Sequence, residues 1–153
     1  MNPFDQAWAL LKMPLVPGSL EDLGDGFAEA AFLDPVTNMT HPVNIKEGDD
    51  ELVGRIKVSP QEAHTRMMRR DSGDWQVKDS ETDWDIQNRG YMKALYEAIA
   101  AYLHANRGER FTHDNALSDD GWRMWNSIYA QQADTPEWSG DGRPYYPVRE
   151  DLE

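Results

Sequence analysis

Cysteine is missing from this 153-residue chain. Its absence excludes disulfide bonds, a thiolate nucleophile and thiolate zinc sites. Basic residues are scarce: 15 Lys and Arg against 28 Asp and Glu leave a formal net charge of −13. That balance argues against nonspecific nucleic-acid binding, in which Lys and Arg meet the phosphates. It suits basic partners such as amines or cationic protein surfaces, or simply a solvated acidic surface. No apolar run approaches the length of a membrane span, so no membrane partner is expected. The N-terminus, Met1-Asn2-Pro3-Phe4-Asp5, has no basic n-region and does not read as a signal peptide, which makes the cytoplasm the expected location. The four histidines, His41, His64, His104 and His113, share no metal-like spacing with acids, and no metal is expected. No Ser-His-Asp arrangement can be argued from order along the chain, because triads are defined by geometry.

What is present is a globular composition, 39% hydrophobic and 28% charged, in a chain long enough for one domain with a proper core. Phe4, Ala7, Trp8 and Leu11 recur at helical spacing and predict a short first helix ended by Pro14 and Pro17-Gly18. A polar, turn-rich connection over 19–26 leads to a candidate strand over 27–33, although its alanines also permit helix. Two β-rich runs, 42–46 and 52–58, flank Glu47-Gly48-Asp49-Asp50-Glu51 and predict a hairpin. Ser59-Pro60-Gln61-Glu62 has the residues of a capped helix start and predicts a helix to about Arg70. That stretch holds the chain's basic cluster, Arg66, Arg69 and Arg70, either a solvated helix face or a set of phosphate partners.

Trp75 to Ser80 alternates in the strand manner and extends toward Trp84 or Ile86. Met92, Leu95, Tyr96, Ile99 and Leu103 define one face of a helix that Gly108 ends. Glu109 to His113 is a short strand candidate. Ser118 with Asp119 and Asp120 opens another helix, whose apolar face is Trp122, Trp125, Ile128 and Tyr129. Beyond Ala133 the chain turns acidic, with Gly and Pro; Tyr145, Tyr146 and Val148 are candidates for packing, but a loosely held tail is expected. Strands alternating with helices in the second half predict an α/β class with layers over one sheet.

Between the Trp75 strand and the Met92 helix lies Gln87-Asn88-Arg89-Gly90-Tyr91-Met92, a polar, glycine-containing turn running straight into a helix. Such a turn either is an ordinary connection or aims backbone N–H groups at an anion, aided by the helix dipole. A phosphate-bearing ligand is the functional form of that second reading.

Taken together, Trp75 to Ala130 resembles the acyl-CoA-binding half of GNAT-type N-acetyltransferases. The family signature is Arg or Gln, two residues, Gly, one residue, then Gly or Ala; Gln87 and Gly90 fit it and Met92 departs from it. Ala116 to Trp125 is similar to a leucine-serine-x-x-glycine-x-x-x-aromatic segment of small members, including some encoded by bacterial viruses. The hairpin ending Leu52-Val53-Gly54-Arg55-Ile56 looks like the family's strand two and strand three. The resemblance implies a GNAT-like α/β fold with a mixed, mostly antiparallel central sheet flanked by helices. It implies one domain over 1–133, with its acyl-CoA-binding half at 75–130, followed by the tail at 134–153.

The activity it implies is transfer of an acetyl group from acetyl-CoA to an amine on a small molecule, peptide or protein. Gln87, Asn88, Arg89, Gly90, Tyr91 and Met92 would hold the pyrophosphate. Met92 either points into the core and leaves its amide free, or blocks the site. Glu81 or Asp83 would assist deprotonation, and Tyr129 would protonate the departing thiolate. The alternatives to these roles are solvent-facing strand carboxylates and a core tyrosine. Two other classes compete with the enzyme: a noncatalytic binding protein whose acidic surface engages a basic partner, and an assembly protein of a virus particle.

Overall fold

The computed structural model describes residues 15–131, 139–149 and 152; the first predicted helix, over 4–13, lies outside them. Seven strands form one sheet in chain order: β1 (Glu21–Gly24), β2 (Phe27–Leu33), β3 (Thr40–Glu47), β4 (Glu51–Val58), β5 (Gln61–Arg69), β6 (Trp75–Thr82) and β7 (Phe111–Thr112). β1 to β6 make an antiparallel meander, and β7 joins β6 in parallel. The crossover from β6 to β7 is the helix α1 (Tyr91–Arg107), and α2 (Asp119–Gln131) follows β7. The class is therefore mixed α/β with a mostly antiparallel sheet flanked by helices. Among the described residues no helix is long and apolar enough to cross a membrane.

Alternation builds the core. Ala28, Ala30 and Phe32 on β2, Val43 and Ile45 on β3, Leu52 and Ile56 on β4, and Ala63 and Met67 on β5 are all buried. Side chains of a strand point to opposite faces in turn, so these residues share the face that α1 covers. Gly54 lies under the helix: a Cβ there would come 2.9 Å from Ile99 Cδ1 and 3.2 Å from Leu95 Cδ2. Its missing side chain lets α1 seat close on β4. From Ala94 to Leu103 every residue of α1 is buried, which its alanine-rich sequence permits.

The strand over 27–33, the hairpin and the two later helices are where the periodicity put them. Gly108 ends α1 at φ 65° in the left-handed region, its N–H on the His104 carbonyl at 2.9 Å. Ser118 caps α2, its Oγ accepting the Gly121 N–H at 3.1 Å. β1 is a strand where a connection was expected.

The helix expected over 59–70 is corrected: the segment is a turn at Ser59-Pro60 followed by β5. Its capping residues are a local signal, whereas the buried Ala63, Thr65 and Met67 recur at period two. Pairing along the whole of β4, from Val58↔Gln61 to Glu51↔Met68, satisfies the backbone in a way an isolated helix pattern does not reveal.

The loosely held tail is also corrected over its described part. Tyr146 is buried, its ring stacked on Phe111 at 5.3 Å, and its N–H donates to the Phe111 carbonyl at 3.0 Å. Thr112 Oγ1 donates to the Pro144 carbonyl at 2.9 Å, so 139–149 straps the open side of β7. Three aromatic rings explain this anchorage: Trp125 of α2 packs on Phe111 at 6.3 Å and on Tyr146 at 5.8 Å.

Candidate functional site

β6 and β7 pair through only two residues, Trp75↔Phe111 and Gln76↔Thr112. Past that point β6 continues to Thr82 with no strand among the described residues beside it on that flank, and a cleft of about 610 Å³ opens there. Its walls are β6, the 87–92 turn with the start of α1, and the 114–125 segment with α2. Lys78 marks the break in β6. Asp79 faces Arg66 and Val77 faces Met67, leaving Lys78 as the extra residue of a β-bulge. A bulge kinks the strand and frees ladder groups, which is one way of opening such a cleft.

The turn has a specific backbone. Asn88 and Gly90 both lie at positive φ, 63° and 89°, and the Gln87 side chain closes the turn by donating to the Thr82 carbonyl at 3.1 Å. Gly90 is the N-cap of α1 and offers no side chain, and no acid stands in the first helical turn. Donors at this end lack helical acceptors, and the helix dipole is positive there. Lys78 and Lys93 line the same cleft. Its apolar wall includes Val77, Met92, Leu117, Met124 and Trp125.

Arg89 and Tyr91 lock the turn to the rest of the sheet. Both reach Asp34, which is fully buried at the end of β2: Tyr91 Oη donates at 2.7 Å and Arg89 Nη1 stands at 3.5 Å. The other oxygen of Asp34 accepts the Val36 N–H at 2.8 Å. Burial pushes the Asp34 carboxyl up, but the Tyr91 hydroxyl, the Val36 and Thr37 amides and Arg89 outweigh it and hold the group below its usual range. Burial and the same carboxylate push the Tyr91 phenol well above an ordinary tyrosine.

Of the six turn residues, Gln87, Asn88, Gly90, Tyr91 and Met92 line the cleft, while Arg89 faces Asp34. Met92 is half-buried and packs against the core from the cleft wall. Glu81, Asp83 and Tyr129 are not among the lining residues. Glu81 is exposed on β6 opposite His64. Asp83 Oδ2 accepts the Glu62 N–H at 2.8 Å and holds the end of β6 to β5. Tyr129 is half-buried, its ring 6.4 Å from that of His113. On the same helix Trp125 and Ile128 are buried but Trp122 is 43% exposed, so the expected apolar face is narrower than its spacing implied.

The chain finds no match among protein-family models, curated proteins or solved structures.

The basic cluster is spoken for by carboxylates. Arg66 Nε donates to Asp79 at 2.8 Å, Arg69 pairs with Glu109, and Arg70 pairs with Asp74 and, at 2.9 Å, with Asp141. None of the three lines the cleft. Sequence reasoning missed Lys78, Ser80, Tyr96 and Asp114, all of which do. Lys78 and Ser80 carried no local signal, since only the bulge aims them. Tyr96 is legible as a helix-face residue packing on the sheet, whereas its hydroxyl takes on a role only once Ser80 is brought opposite it. Among the described residues no cluster of His, Asp and Glu has the form of a metal site.

Proposed function

We propose that the chain is an acyltransferase of GNAT-like fold that uses acetyl-CoA and acylates an amine. The observation that carries this reading is the cleft at the parting of β6 and β7, with the 87–92 turn and the start of α1 on its wall. A strand, a turn into a helix, a short strand and then a second helix is the order of the segments that carry the resemblance. The helix end and Lys78 suit a pyrophosphate, and the strand flank suits an uncharged arm with amide groups. Met92 lies along the wall with its side chain in the apolar packing, which leaves the turn's backbone as the phosphate-facing surface. Catalysis would consist of holding the thioester beside a neutral amine, removing a proton and stabilising the carbonyl oxyanion.

A second reading is a noncatalytic protein of the same fold that engages a basic partner through its acidic surface. It is favoured by one observation: Glu81, Asp83 and Tyr129 stand outside the cleft lining.

Thermal unfolding with and without saturating acetyl-CoA separates the two. Ligand at about a hundred times its dissociation constant adds roughly 2.7 kcal/mol to native-state stability, a rise of roughly 5–10 °C for a domain of this size. No rise with acetyl-CoA, nor with adenosine 3′,5′-bisphosphate, would sink the acyltransferase reading and direct the search to protein partners.

A further inference from the structure

Three hydroxyls stand in series on the cleft wall. Tyr96 Oη is 2.6 Å from Ser80 Oγ, Ser80 Oγ is 2.8 Å from Thr65 Oγ1, and Thr65 Oγ1 is 2.9 Å from the carbonyl oxygen of Asp79. Thr65 is fully buried and Tyr96 is 4% exposed, while Ser80 opens to the cleft. A carbonyl oxygen only accepts, so Thr65 donates to it. Thr65 then accepts from Ser80, and Ser80 accepts from Tyr96. The chain ends on a carbonyl and cannot pass a proton onward.

It can, however, reverse its polarity. If the Ser80 hydroxyl turns toward Tyr96, the phenol is released to donate into the cleft, and Thr65 keeps its bond to Asp79. One rotation, at the loss of the Ser80–Thr65 hydrogen bond, lets Tyr96 accept from Ser80 and turn its own donor from Ser80 to the cleft. Burial, with the Asp114 carboxylate acting in the same sense, raises the Tyr96 pKa, so the phenol stays neutral. Asp114 lines the same cleft, its Oδ1 fixed by the Asn115 N–H at 2.6 Å. Lys78, whose Nζ donates to Gln76 Oε1 at 3.3 Å, and Lys93 line the same cleft, but the charge that acts on Tyr96 is that of Asp114. A neutral carbonyl at Tyr96 gains a donor, whereas a carboxylate there meets Asp114 and a buried surface that disfavours charge.

We propose that Tyr96, set by Ser80 and Thr65 and flanked by Asp114, is the acyl-selecting subsite of the cleft, accepting an uncharged acyl group and rejecting one that ends in a carboxylate. The proposal rests on the acyl-CoA reading. It is tested by calorimetric titration of the full chain with acetyl-CoA, malonyl-CoA and adenosine 3′,5′-bisphosphate, which carries the anionic end without the acyl arm. Acetyl-CoA should bind at least tenfold more tightly than malonyl-CoA, and Asp114→Asn should narrow that gap. Tyr96→Phe should weaken acetyl-CoA by about tenfold and leave the bisphosphate within twofold. Ser80→Ala leaves the phenol free to donate outward, so acetyl-CoA should bind it no more weakly than the unsubstituted chain. Equal affinity for the two acyl-CoAs, or equal weakening of acetyl-CoA and bisphosphate by Tyr96→Phe, would overturn the subsite while the acyl-CoA reading stood. If Tyr96→Phe does not fold, a tenfold loss in Ser80→Ala overturns it as well. Binding of neither acetyl-CoA nor bisphosphate to the unsubstituted chain would remove both the reading and the subsite.

Discussion

Replacing Asp34 by Ala should destabilise the fold more than any single exposed substitution, although Asp34 is distant in sequence from the turn it holds. Its carboxylate accepts from Tyr91 Oη at 2.7 Å and from the Val36 N–H at 2.8 Å, with Arg89 Nη1 at 3.5 Å. Tyr91 is 1% exposed, so its hydroxyl would be stranded away from water. A hydrogen bond to a charged group is worth about 1.5–3 kcal/mol, and an orphaned buried hydroxyl costs about 1–3 kcal/mol. The expected loss is therefore roughly 3–5 kcal/mol. In urea, with a slope of about 2 kcal/mol per M, the midpoint should fall by roughly 2 M.

A double-mutant cycle with Tyr91→Phe isolates the pair and should return a coupling of about 1–2 kcal/mol. The pH dependence has a definite sign. Asp34 is held below its unfolded value of 3.8, so its contribution is complete above that pH and is lost as pH falls through the lower folded value. The stability gap between the unsubstituted chain and Asp34→Asn should thus hold from neutrality to about pH 4 and close in stronger acid. A loss under about 1 kcal/mol for Asp34→Ala, or an additive cycle, would refute the idea that this carboxylate anchors the turn.

Three further outcomes follow from the same geometry. Gly90→Ala forces a side chain onto a backbone at φ 89° and should cost roughly 1–2 kcal/mol in chemical denaturation, together with acetyl-CoA affinity if the turn's backbone faces the phosphates. Trp125→Ala removes a ring 1% exposed between Tyr96, Phe111 and Tyr146 and should cost about 3–5 kcal/mol, read as a lowered urea midpoint at unchanged slope. Lys78→Ala should leave thermal stability nearly unchanged yet weaken acetyl-CoA binding, and titration at two salt concentrations should show a shallower salt dependence than in the unsubstituted chain.

Much of the secondary structure was legible because it is local. The Met92-to-Leu103 periodicity, the glycine at 108 and the Ser118 cap each act within a few residues, and α1 and α2 follow them. The hairpin of β3 and β4 follows for the same reason: two alternating runs with an acidic turn between them. The segment after Ser59 shows where local signals stop. Its capping residues favour a helix, but the edge of β4 and the core under Ala63, Thr65 and Met67 favour a strand, and neither belongs to the segment itself. The tail misled in a similar way, since Tyr146 has no partner until Phe111 and Trp125 are brought beside it.

The candidate site divides along the same line. The sequence by itself determined the acidic surface, the absence of thiol chemistry, and a glycine turn feeding a helix, because composition and short-range pattern carry them. Tertiary structure alone decided that the turn lines a cleft, that Arg89 points away from it to Asp34, and that Glu81 and Asp83 stand outside it. It alone placed Lys78, Tyr96 and Asp114 around one space. The physical reason is the bulge at Lys78 and the two-residue pairing of β6 with β7. A shift of one residue in a strand changes which side chains face the opening, and that shift is set by the neighbouring strand rather than by the residues that move.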